Sequence, residues 1–206
     1  MAEPRYPQIL ARRGRELRWD CFRGLRVLDI GCGPYGLIRY AAEAAERIRV
    51  DPLLPQYASR RPLEGLQLSL RAMAESLPLA DRSVDLAICF NALDHMLNPE
   101  AAFDEIARAL RPGGTGLLML HTFPSWLRPA FPLDRMHPHH FTAEAFASMV
   151  GRRLRIDRCQ TIRRRFDTSG GKWWMPSMWK YRVAGLFVSI TYLRAAALPA
   201  TSAAAR

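Results

Sequence analysis

Two sets of side chains in this 206-residue sequence could do chemistry. The first is Gly31, Gly33 and Gly36 in the stretch VLDIGCGPYG, with Asp51 following 20 residues after Gly31. Set between a strand and a helix, the glycines fit G-x-G-x-x-G, which turns the chain sharply and lets a ligand approach backbone with no Cβ in the way. Amides opening the next helix would favour a negative group, and a carboxylate ending the second strand can accept both hydroxyls of a ribose. NAD-binding domains share this pattern, and a tight strand-to-helix turn needs glycine even without a ligand. The second set is histidine. His95, His121, His137, His139 and His140 are all five in the chain, and imidazole is the side chain best matched to proton transfer near neutral pH. The run H-x-H-H has no carboxylate or cysteine at a convincing spacing, so no metal site is expected.

These residues need a scaffold, and the hydrophobic periods supply one. Through residue 150, short β-rich runs alternate with helical patterns, which predicts an α/β fold with a parallel sheet covered by helices. Strands are expected at Leu25–Ile30, Ile48–Val50, Leu66–Leu70, Val84–Phe90 and Gly116–Thr122. A helix should follow the glycine turn, with Leu37, Ile38, Ala41, Ala44, Ala45 and Ile48 on one face. Another should run from Asn98 as cap, through Pro99 in its first turn, to a stop at Arg111-Pro112-Gly113-Gly114. Thr142 caps a third helix, and Arg153–Ile162 reads as a further strand.

The residues between the second and fifth strands narrow the ligand. They are AESLPLADRSVDLAICFNALDHMLNPEAAFDEIARALRPGGTGLLML, Ala74 to Leu120. Taken with LDIGCGPYG and Asp51, they resemble the class I S-adenosylmethionine-dependent methyltransferases, specifically the small type 11 group. The resemblance covers roughly residues 25–150 and rests on Leu77-Pro78, Asp85 opening the fourth strand, Leu93-Asp94-His95 and Leu110–Gly114. NAD-binding domains are not expected to carry that second block.

The resemblance implies a Rossmann-like, doubly wound, mostly parallel seven-stranded sheet with helices on both faces. It also implies S-adenosyl-L-methionine as cofactor. Its methionyl part would lie against Asp29 and the loop Gly31, Cys32 and Gly33. Asp51 would hold the ribose, the Ala74–Glu75 backbone would line the adenine, and Asn91 would face the sulfonium side. The loop carrying His137, His139 and His140 would frame the acceptor, with His95 in a family motif beneath it. These four histidines are the candidate catalytic residues. The chain departs from the family pattern at Tyr35, where the third loop glycine is usual, and at Met73, where an Asp often stands. Methyl transfer is an in-line displacement from an activated sulfonium, so positioning alone can supply several kcal/mol, up to roughly 7–11 in the best-oriented cases. A base is needed only if the acceptor must lose a proton.

Composition bounds the rest. The formal charge of +11 is not spread evenly: residues 1–149 carry 18 Arg against 17 acidic residues, whereas 150–206 carry 12 basic and two acidic ones. The expected organisation is an N-terminal helical cover over 1–24, a cofactor-binding domain over 25–165 and an aromatic, basic C-terminal extension over 166–206. That extension, with Trp173, Trp174 and Trp179, is expected to pack on the core and roof the pocket, with peripheral membrane contact as the alternative. Cys21, Cys32, Cys89 and Cys159 are scattered and read as reduced thiols, and no segment has the length of a signal peptide or a membrane span, which together point to cytoplasm, with the inner membrane face as the peripheral alternative. The function expected is methyl transfer to oxygen or nitrogen of a small-molecule, glycan or lipid-linked acceptor. An RNA methyltransferase using the basic tail competes poorly, since no RNA module or Asn/Asp-Pro-Pro-aromatic run is present, so a nucleic-acid partner is not expected. A non-catalytic cofactor binder on the same fold is the remaining reading, and the sequence leaves the oligomeric state open.

Overall fold

A computed structural model describes residues 22–34, 36–58, 68–127, 137–163 and 187–198. Seven strands form one sheet in the order β3-β2-β1-β4-β5-β7-β6. They are β1 (Arg26–Ile30), β2 (Glu46–Val50), β3 (Leu68–Leu70), β4 (Val84–Phe90), β5 (Leu110–Thr122), β6 (Leu154–Arg163) and β7 (Ser189–Ala197). Pairing is parallel from β3 across to β5, and β7 is antiparallel to both of its neighbours. The fold is therefore the mostly parallel, Rossmann-like sheet expected. β7 comes from the stretch assigned to a C-terminal extension, and its place between β5 and β6 makes part of that stretch integral to the sheet. The N-terminal cover up to Cys21 and the three tail tryptophans lie outside the described residues.

Alternation along the strands sends side chains to two unequal layers. On one face Leu28, Ile30, Ala87, Cys89, Leu118 and Leu120 meet helix α2 (Pro99–Ala109) through Ala102, Phe103 and Ile106, and helix α3 (Ala143–Gly151) through Phe146, Met149 and Val150. On the other face Val27, Leu86, Ile88 and Leu117 pack with Phe22, Leu37, Ile38 and Ala41. Both helices start where their caps predict. Asn98 accepts from the Ala101 amide at 3.1 Å with Pro99 opening α2, and Thr142 accepts from the Ala145 amide at 3.1 Å to open α3. A further short helix, α1 (Leu54–Ala58), follows β2 and lies before both of them in the chain.

The helix expected after the glycine turn is replaced by a four-residue 3₁₀ turn, Leu37–Tyr40, followed by bends. Strand β2 begins earlier than expected, at Glu46, which pairs with Arg26 in register and by an ion pair of 2.6 Å. Only residues 37–45 remain between the glycine loop and β2. As an α-helix they would rise about 13.5 Å, less than the roughly 16.5 Å that a five-residue strand climbs. The four-residue 3₁₀ turn rises about 8 Å, and the irregular chain over 41–45 covers the rest.

The motif at Arg111–Gly114 also differs from its expected role as a stop followed by a strand. Strand β5 already begins at Leu110, opposite Val84, and Thr115 is the next paired residue, opposite Leu86. The intervening residues bulge, with Gly113 at φ +76° and Gly114 so close to the Arg111 carbonyl that a Cβ would sit 2.8 Å from its oxygen. Asp85 ties this bulge to the sheet, accepting from the Arg26 amide at 2.7 Å and pairing with Arg111. Arg108 on α2 binds Glu105, Asp81 and the carbonyls of Leu77 and Leu79, which fastens the Leu77-Pro78 segment to the helix. Much of the block that carries the family resemblance is thus scaffold.

Candidate active site

Strand order reverses between β1 and β4, and a crevice outside the carboxyl ends of such strands is where open α/β sheets bind ligands. A cavity of about 220 Å³ lies there, lined by Asp29, Gly31, Cys32, Gly33, Pro34, Gly36, Leu37, Tyr40, Phe90 and Asn91. Gly31, Gly33 and Gly36 all have positive φ, between +53° and +62°. Two of them have a second reason to lack a side chain. A Cβ on Gly31 would lie 2.4 Å from the Ala92 Cβ, and one on Gly36 would lie 3.1 Å from Asp29 Oδ2. The third glycine at position 36 is thus set by its approach to Asp29.

Backbone amides fix both carboxylates on this side. Asp29 Oδ2 accepts from the Ile38 amide at 3.0 Å. Asp51 Oδ2 accepts from the Gly33 amide at 2.9 Å, and Oδ1 from the Leu53 amide at 2.8 Å. Burial pushes the Asp29 carboxyl up to about 7, against the pull of the Ile38 and Leu37 amides, and Asp51 adds to the rise while Arg49 opposes it. Arg49 is itself buried and donates to Ser69 Oγ at 2.8 Å. Burial also raises the Cys32 thiol, with Asp29 and Asp51 adding to it, and the Cys89 thiol, with Asp29 and Asp94 adding to it, so both are inert as nucleophiles near neutral pH.

Asn91 closes the cavity at the end of β4. Its φ of +53° is a left-handed conformation that asparagine tolerates, and its amide donates to the Met119 carbonyl at 2.8 Å. Its side-chain Oδ1 is buried and has no hydrogen-bond partner among the described residues. An orphaned polar atom beside a glycine cradle is what a site for a polar ligand requires. The residues present therefore fit the nucleoside cofactor that the sequence implies.

The remaining expected cofactor residues are arranged differently. Asp51 lies next to the cavity through its bond to Gly33, outside the lining. Ala74 is buried in the main core, and Glu75 Oε1 accepts from the Leu97 and Asn98 amides at 2.8 and 3.1 Å, which anchors the start of α2. Neither lines the cavity.

Of the four candidate histidines, two are brought together by Asp94, a residue to which the sequence alone gives no chemical role. Asp94 is buried in the turn Leu93–His95, with Oδ1 3.9 Å from His95 Nε2 and Oδ2 3.9 Å from His137 Nε2. The two imidazole rings lie 4.6 Å apart. His139 donates its amide to the Asp94 carbonyl at 3.3 Å, while its ring lies beside Phe141, and the His140 ring packs edge-on against Phe123 at 5.4 Å. The signal for Asp94 is an acid inside a run whose neighbours Ala92, Leu93 and Met96 are all buried. Among the described residues no helix is long and apolar enough to cross a membrane.

Sheet order, glycine cradle and neighbouring acids agree with the fold that the resemblance implies. Residues 28–118 match the family model described as a methyltransferase domain. The chain is 36% identical over 125 residues to an uncharacterized methyltransferase of Mycobacteroides abscessus, covering 58% of this chain and 47% of that one. It is 32% identical over 133 residues to one of Mycolicibacterium vanbaalenii, covering 63% and 51%. It thus spans about half the length of these relatives. Among solved structures, the 4+2 cyclase SpnF superposes with a TM-score of 0.70 at 19% identity, covering 95% of this chain and 80% of that one. An S-adenosylmethionine dependent methyltransferase from Mesorhizobium loti gives 0.62 at 20%, covering 93% and 97%. At such identities the likeness concerns the fold alone, and a cyclase among the neighbours means that fold does not decide the reaction.

Proposed function

We propose that the chain binds S-adenosyl-L-methionine at the switch point and transfers its methyl group to oxygen or nitrogen of a small-molecule, glycan or lipid-linked acceptor. The observation that carries this reading is the buried, unpartnered Asn91 Oδ1 beside three glycines that leave backbone accessible. The cofactor supplies an electrophilic methyl group already activated on sulfur. Asp29, buried beside a second acid, favours a cationic group such as the ammonium of the methionyl part. Asp51 retains lone pairs for ribose hydroxyls after its bonds to Gly33 and Leu53. The cavity of about 220 Å³ is below the roughly 300–1,000 Å³ usual for small-molecule sites. It suits the methionyl end, with the nucleoside extending toward Asp51.

On the acceptor side, His95 and His137 flank Asp94 in the turn that follows Asn91 by only a few residues. Their task is to hold the acceptor in line with the methyl group. Calorimetric titration with S-adenosylhomocysteine tests the cofactor reading directly, and binding of the wild type is expected. Asp51→Ala should weaken it by about 1.5–3 kcal/mol, roughly ten- to a hundredfold, the range for a hydrogen bond to a charged group. Absence of heat, or tighter binding of NAD, would refute the proposal. Turnover of the methyl donor in the presence of candidate acceptors then separates an enzyme from a silent binder.

A further inference from the structure

His95 and His137 approach Asp94 to within ion-pairing distance but not to hydrogen-bonding distance. Each imidazole nitrogen stands 3.9 Å from a different oxygen of the same carboxylate, beyond the roughly 2.7–3.2 Å of an N–H···O bond. Asp94 is only 2% exposed, yet its Oδ1 has no hydrogen-bond partner among the described residues. Such a group is costly unless something else satisfies it. A cation held between the three groups would satisfy it, and neutral imidazoles and an ionised carboxylate are the forms that bind metal.

We propose that Asp94, His95 and His137 bind a divalent transition-metal cation of the zinc type at the acceptor side of the site. One ligand atom from each residue lies within 4.8 Å of the others. Metal–nitrogen and metal–oxygen bonds of about 2.0–2.2 Å put tetrahedral ligand atoms roughly 3.4 Å apart, so the observed spacing closes on an ion with a small rotation of the partly exposed imidazoles. Two nitrogens and one carboxylate suit zinc and its first-row neighbours, and a site with only three protein ligands keeps a position open, as catalytic zinc sites do. The site is held from two sides of the chain. The His139 amide binds the Asp94 carbonyl at 3.3 Å and docks the His137–His140 segment onto the Leu93–His95 turn, while the His95 amide closes that turn on the Ala92 carbonyl at 3.0 Å. The open position would take an oxygen of the acceptor, a role that rests on the methyltransferase reading, whereas the metal site itself does not.

Titration of the metal-stripped full chain with Co²⁺ and Zn²⁺ tests the proposal. Co²⁺ should bind at one equivalent with visible d–d absorption of a low-coordinate nitrogen and oxygen site, and Zn²⁺ should displace it. Asp94→Asn and His137→Gln should each weaken Zn²⁺ by at least about 10–100-fold, the loss that even outer-shell substitutions bring. His121→Gln, on β5 opposite Ile190, should retain wild-type affinity. His137 is partly exposed, so its variant remains informative if Asp94→Asn fails to fold. A wild type that takes up neither ion, or folded His137→Gln titrating like wild type, overturns the proposal. S-adenosylhomocysteine binding, measured on the same samples, reports on the cofactor reading separately.

Discussion

The two sides of the site treat their carboxylates in opposite ways. On the cofactor side, Asp29 and Asp51 are buried and each accepts backbone amides, three of those bonds at 2.8–3.0 Å from Ile38, Gly33 and Leu53. On the proposed acceptor side, Asp94 is as deeply buried, and among the described residues its Oδ1 has no hydrogen-bond partner and stands 3.9 Å from His95 Nε2. The carboxylates of one side are held by the chain's own backbone before any ligand arrives. The other side leaves a buried carboxyl oxygen without a partner among the described residues. A preorganised half reduces the ordering cost of binding, and an incomplete half is where specificity can be built.

The sharpest way to break the comparison is to attack the preformed half. Gly31→Ala forces a Cβ to 2.4 Å from the Ala92 Cβ at a φ of +62°. Backbone strain of roughly 1–3 kcal/mol adds to overpacking of roughly 1–3 kcal/mol, so this substitution should cause the largest stability loss at the site, with cofactor binding lost as well. Gly33→Ala has a similar φ of +59° but no atom within 4 Å of the added carbon. Only the strain should remain. Chemical denaturation of the two variants checks the difference, and equal losses would mean that the Ala92 contact does not constrain the loop.

Asp29 gives the next effect. Its native carboxyl is raised from 3.8 to about 7, so between about pH 4 and 7 the native state holds a proton that the unfolded chain has lost. Stability must then fall as pH rises through that window and level off above it. At 1.36 kcal/mol per pKa unit the fall is on the order of 4 kcal/mol at most. Asp29→Asn should flatten the profile, measured as denaturation midpoint against pH. A wild-type profile that is already flat would show that the amides of Leu37 and Ile38 keep Asp29 ionised after all.

The same contrast governs what is legible in the sequence. The cofactor half is local: glycines, Asp29 and Asp51 lie within a short stretch, and a left-handed turn after a strand has few solutions other than glycine. The metal candidate is invisible at that level because Asp94 and His137 are far apart in sequence, and only the docking of the 137–140 segment onto the turn after β4 joins them. Periodicity places β1, β4, α2 and α3 to within a few residues. It fails over 37–45, where apolar spacing of helical period is overridden by the length the crossover must cover. Glu75 shows a role that its sequence position does not reveal, since its carboxylate holds the Leu97 and Asn98 amides.

That assignment sharpens the comparison at the scaffold between the two halves. Glu75→Ala removes the acceptor for two amides at the start of α2, and a loss of about 1.5–3 kcal/mol in stability is expected for a charge-assisted bond. S-adenosylhomocysteine affinity should change little, because the side chain lies outside the cavity lining. Thermal melts and calorimetry on one preparation separate the two effects. A variant of unchanged stability with weakened cofactor would return Glu75 to the cofactor side.

The smallest effects come from the two caps that bracket the acceptor side. Asn98 opens α2 just after the Asp94–His95 turn, and Thr142 opens α3 just after His137–His140. Asn98→Ala and Thr142→Ala should each cost about 1 kcal/mol, the usual loss of an N-cap side chain. Their combination is the informative measurement. If the two segments were independent, the costs would add to within about 0.3–0.5 kcal/mol. The bond from the His139 amide to the Asp94 carbonyl joins the segments before each helix, so fraying one should loosen the support of the other, and a coupling of more than about 0.5 kcal/mol is expected in the double-mutant cycle. Added Zn²⁺ should increase that coupling, because an ion shared between Asp94 and His137 ties the same segments a second time. Strict additivity with and without zinc would show that the acceptor side is two separate segments lying close together rather than one unit.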